Sequence, residues 1–134
     1  MIPTGWRPVR RSADGELVGY LVPDGSPGLV LPVTLLGSAL GPAHDRPTAT
    51  ALLVSRGLAA LDRRWWCRLP ATLAPGVLPA GEPVDGWEWR PVVLVEVSPT
   101  QCRVRPEWAA PEELTGQAAL PVPVGDLLRT EPPA

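Results

Sequence analysis

Apolar and polar positions alternate with a period of two over much of this chain, the pattern of strands that bury one face. Trp6–Arg11 and Glu16–Val22 flank Ser12-Ala13-Asp14-Gly15. Asp-Gly between two extended runs predicts a hairpin, because glycine accepts positive φ and aspartate tolerates it. A second turn at Pro23–Gly28 leads into a third run, Leu29–Val33, so the N-terminal third predicts a three-stranded meander. Gly19, inside the second strand, predicts a bulge or a close approach of another group to the backbone.

The periodicity becomes helical once. After a loop over 34–45, Asp45 is placed to cap a helix whose first turn admits Pro47. Thr48–Arg56 carries Ala51, Leu52 and Leu53, with Gly57 as the stop and Leu58 as its hydrophobic contact. Leu58–Leu61 extends this by a further helical turn.

Alternation then resumes. Asp62–Leu69 places Trp65, Cys67 and Leu69 on one face and Arg64, Trp66 and Arg68 on the other. Closely set prolines and glycines from Pro70 to Gly86 predict a long, mobile loop without regular structure. Trp87–Val97 is the longest strand, interrupted by Pro91, which implies an edge position, a bulge or a bend. Ser98-Pro99-Thr100 turns into Gln101–Arg105, with Cys102 and Val104 inward. Pro111–Leu114 reads as one helical turn and Leu120–Val124 as a last strand. The expected fold is α+β and β-dominated, with about six antiparallel strands in a bent sheet or small open barrel and one packed helix, in β-β-β-α-β-β-β order. The length of 134 residues predicts one domain over 1–129, followed by a frayed tail at 130–134.

Composition narrows the chemistry. All twelve basic residues are arginine, and asparagine and phenylalanine are absent, a bias that points to a high-GC bacterial genome. The net charge of −2 and pI near 5.3 count against a nucleic-acid binder. The start of the chain lacks the pattern of a secretory signal, and no apolar run is long enough to span a bilayer, so a cytoplasmic location is expected. His44, the one histidine, sits beside the helix cap, and no serine lies in a nucleophile elbow. Cys67 and Cys102 both point inward as small hydrophobes, too few with one distant histidine for a metal. Glu112 and Glu113 complement the start of a short helical turn. No catalytic residue, cofactor or metal is therefore expected.

What remains is a strand face carrying Arg64, Trp66 and Arg68, joined by Arg103 and Arg105 from a neighbouring strand. Tryptophan and arginine dominate interface hot spots, so this face suits an anionic or acidic-peptide partner. On the competing reading the arginines pair across strands with Glu88 and Glu96 on a solvated surface. The aliphatic run Val92–Val95, apolar on both faces, adds self-association as a homodimer. The alternative function is a small-molecule site or enzyme, with a pocket in the bent sheet gated by the 70–86 loop.

Overall fold

The computed structural model describes residues 1–133; of the tail expected at 130–134, Ala134 lies outside the described residues. The protein is α+β and strand-rich, with one α-helix and two sheets of four and six strands, neither closed into a barrel. Its residues group into two compact units, Met1–Asp62 and a second beginning at Arg63.

The first unit holds β1 (Arg7–Arg10), β2 (Leu17–Pro23), β3 (Leu29–Val33), β4 (His44–Asp45) and α1 (Arg46–Arg56), and its sheet order is β1-β2-β3-β4. The predicted meander forms as expected. In its first turn the Asp14 carboxylate accepts from the Glu16 backbone N–H at 3.0 Å, and Gly15 takes a φ of +72°. Asp45 caps α1 by accepting from the Thr48 N–H at 2.8 Å. Ala49 and Leu53 of α1 are buried in one cluster with Val9, Val18, Leu21 and Val30. Full burial of a leucine side chain stabilises by about 2 kcal/mol. Gly19 meets both expectations: the β1–β2 register shifts beside its partner Val9, and a Cβ on Gly19 would fall 2.7 Å from the Leu53 side chain. Gly57 ends the helix in ordinary right-handed geometry (φ −57°), not in the left-handed form of a glycine stop. A side chain is excluded there for another reason: its Cβ would lie 2.4 Å from the Val18 carbonyl oxygen. The helix thus packs on the meander and belongs with it.

The second unit holds β5 (Trp65–Leu69), β6 (Gly76–Pro79), β7 (Glu88–Val97), β8 (Gln101–Pro106), β9 (Gly116–Pro121) and β10 (Leu128–Arg129). Their order is β10-β5-β7-β8-β9-β6. The alternation in β5 is as read from the sequence: Trp65, Cys67 and Leu69 are buried while Trp66 and Arg68 are only partly so. With Val92, Cys102, Val104, Ala118 and Leu120 they make the inner face of the sheet.

Three expectations are corrected in this unit. The segment 70–86 contains β6, so it is not devoid of regular structure, and β6 pairs with β9 in parallel, so the strands are not all antiparallel. Prolines are admitted because the backbone N–H groups of Gly76 and Ala80 donate to the Thr115 and Ala119 carbonyls. By alternation Val77 and Pro79 then turn their backbone groups away from β9, where proline's missing donor costs nothing. Second, Pro91 is in a central strand, and the bulge in β7 lies further on, between Leu94 and Glu96. The Pro91 carbonyl accepts from the Glu107 N–H at 3.0 Å, so the absent donor of Pro91 faces Glu107, one residue past the end of β8. Third, the last long strand is Gly116–Pro121, displaced toward the N-terminus from the expected 120–124.

Candidate functional site

Strand pairing brings the five candidate residues, Arg64, Trp66, Arg68, Arg103 and Arg105, to one face of the six-stranded sheet. Trp66 lies opposite Pro91 on one side and Arg129 on the other, Arg68 lies opposite Trp89, and Arg105 lies opposite Val93. Directly opposed residues of antiparallel strands share a face. Trp66 is half-buried, not fully in water.

The five do not share one state. The Arg64 guanidinium donates twice to the Glu107 carboxylate, through Nε and through Nη2, the latter at 3.1 Å. Its carbon also sits 4.5 Å from the centre of the Trp108 ring, which is 67% exposed. The Glu107 carboxylate raises the Arg64 pKa, so that arginine is committed to its pair. Arg103 pairs with Glu96, as the solvated-face reading anticipated, and its Nε is enclosed with no hydrogen-bond partner. Glu88 takes no part in such a pair among the described residues. Arg68 donates only to the Val84 backbone carbonyl, at 3.4 Å. Among the described residues no carboxylate pairs with Arg68, Arg105 or Arg129.

Two members of this face escaped sequence reading. The guanidinium carbon of Arg129 lies over the Trp89 ring at 4.6 Å from its centre. Trp89 alternates with Arg90 as Trp66 does with Cys67, so its outward direction was available from the pattern, whereas the pairing of β10 with β5 was not. Beside this stack is a cavity of about 230 Å³, lined in part by Arg68, Ala80, Pro83, Trp89, Asp126 and Arg129.

The inner face carries different chemistry. Arg90 donates to both Glu113 carboxylate oxygens, at 2.7 and 3.0 Å, and to the Pro70 carbonyl at 3.0 Å. Glu113, only 3% exposed, also accepts from the backbone N–H groups of Leu73 (2.6 Å) and Ala110 (3.1 Å). The Arg90 contact, helped by those backbone donors, holds the Glu113 carboxyl down at about 2. Every oxygen is satisfied, so this pair fastens segment 70–73 to β7 and to the turn at Pro111–Glu113. Cys67 and Cys102 are free thiols, and burial pushes both up to about 12. They are small core residues and poor nucleophiles. Among the described residues no three His, Cys, Asp or Glu side chains gather as a metal site. No described helix is long and apolar enough to cross a membrane. Compared with family models, curated proteins and solved structures, the chain finds no match.

Proposed function

We propose that the protein is a non-enzymatic interaction module whose β10-β5-β7-β8 face docks an acidic segment of a partner protein. One observation carries this reading: Arg68, Arg105 and Arg129 share a face with the half-buried Trp66 and Trp89, and none has a carboxylate of its own. On the same face Arg64 and Arg103 are already neutralised, by Glu107 and Glu96. Unneutralised guanidinium groups beside indoles attract acidic chains and give an apolar floor for the residues between the charges. The central aliphatic run of β7 is a poorer place for a second subunit, because Val92 is buried and only Val95 of its four residues is exposed.

The small-molecule reading draws on the cavity beside Trp89, which takes Ala80 and Pro83 from segment 70–86 as walls. A more open hollow of about 700 Å³, lined in part by Val77, Pro79, Gly81 and Glu82, falls within the ~300–1,000 Å³ of pockets that enclose metabolites or cofactors. The Trp89 cavity, at about 230 Å³, lies below that range. That size favours contact with one side chain of a larger partner.

The test is fluorescence anisotropy with a labelled Glu/Ser decapeptide and its Gln/Ser counterpart. Binding of the acidic peptide alone, abolished by Arg68→Glu with Arg105→Glu and weakened by Trp66→Ala in folded protein, is the expected outcome. Equal binding of both peptides, or full binding by the charge-reversed variant, overturns the reading.

A further inference from the structure

We infer that the cavity between Arg68, Trp89 and Arg129 is a carboxylate subsite, filled by an Asp or Glu side chain of the docked partner. This rests on the docking reading above and specifies where its central charge is taken. Three features of the cavity lead to it.

The first is charge. Two guanidinium groups, Arg68 and Arg129, and one carboxylate, Asp126, line the space, leaving a formal surplus of one positive charge. A single carboxylate neutralises that surplus. A dianionic phosphate would exceed it.

The second is orientation. Arg129 holds its guanidinium carbon over the Trp89 ring, 4.6 Å from its centre, and among the described residues no carboxylate pairs with it. Its edge N–H groups stay available for the two parallel hydrogen bonds a carboxylate accepts. Arg68 reaches the Val84 carbonyl through Nη2 by one long contact of 3.4 Å, which leaves its other donors unused. The Trp89 contact positions Arg129 before any ligand arrives, which lowers the ordering cost of binding.

The third is the wall. Cys67, Ala80, Pro83 and Leu127 complete the cavity with largely apolar groups. An ion pair formed in such a partly enclosed space is less screened than one on the open sheet.

The experiment uses the full chain, the Glu/Ser decapeptide, and two small carboxylates, acetate and succinate. Chemical shifts of the Trp89 indole N–H and of Arg129 Nε–H report occupancy, and anisotropy reports peptide affinity. The expected result is that the peptide shifts both signals, and that Arg129→Gln and Arg68→Gln each weaken it by about tenfold, the usual loss of a charge-assisted contact. Arg105→Gln, on the same face outside the cavity, weakens it less than either. If the peptide binds but only Arg105→Gln weakens it, the subsite is wrong and the docking face stands. If the unaltered chain binds no acidic peptide, both readings fall. If succinate or acetate produces the same shifts at the concentrations at which the peptide acts, the site takes a free acid and the partner-side-chain assignment is overturned. Thermal melts of each variant, expected to match the unaltered chain, separate loss of binding from loss of fold.

Discussion

Arg90 and Arg129 sit on opposite sides of the same six-stranded sheet and are put to opposite uses. Arg90 is enclosed, with its donors taken by Glu113 and the Pro70 carbonyl. Arg129 is exposed, stacked on Trp89, and has no anion. A buried charge without a counter-charge would be driven out or neutralised, so the inner face tolerates arginine only when it is saturated. Water supports the outer arginines, which leaves them free to exchange that water for an external carboxylate. The lesson is that residue type alone does not mark a binding arginine; an unfilled set of donors on an accessible face does.

The contrast can be broken at several points. The largest effect is expected at the thiols of the inner face. With pKa values pushed to about 12 by burial, Cys67 and Cys102 should react with a disulfide reagent at pH 8 at least about a thousandfold slower folded than unfolded. Prompt labelling of the native protein would show that the inner face opens. Next, Glu113→Ala leaves Arg90 buried without its partner and should destabilise the chain by about 3–5 kcal/mol in denaturant melts. A loss below about 1 kcal/mol would mean that water already reaches the pair.

Acid should act at the same place. Because the folded Glu113 carboxyl lies at about 2 against an ordinary 4.5, its contribution is complete above 4.5 and fades as pH falls toward 2. Glu113→Gln should flatten the stability profile across that window, and an unchanged slope would assign acid sensitivity elsewhere. The smallest effect belongs to the outer face, where Arg105→Gln should alter stability by no more than about 0.5 kcal/mol. A larger loss would make Arg105 a structural residue and remove it from the binding face.

Local rules carried much of this structure into the sequence. Asp14-Gly15, the Asp45 cap, the crowding at Gly19 and the two faces of β5 each depend on a few adjacent residues and were legible. The candidate face was legible as a face, since Arg64, Trp66 and Arg68 alternate and Arg103 and Arg105 do likewise. Its chemistry was not, because which arginines are neutralised is decided by register. Glu107 reaches Arg64 across 43 positions of chain, and Glu113 reaches Arg90 across 23. From the sequence Glu113 read only as a charge at a helical first turn. β6 was hidden for a different reason: Pro75, Gly76 and Pro79 signal a loop whenever both strand edges are assumed to be paired, and only one is.

That one-sided pairing has a consequence for how the protein behaves at high concentration. Between Pro75 and Pro79 the free side of β6 offers the N–H of Val77 as its one donor, since Pro79 has none. A strand from another molecule needs a regular series of donors and acceptors to extend a sheet. Here it meets a single donor and a proline, and cannot propagate. The β6 edge of the sheet is therefore protected against strand addition by the same residues that disguise it as a loop.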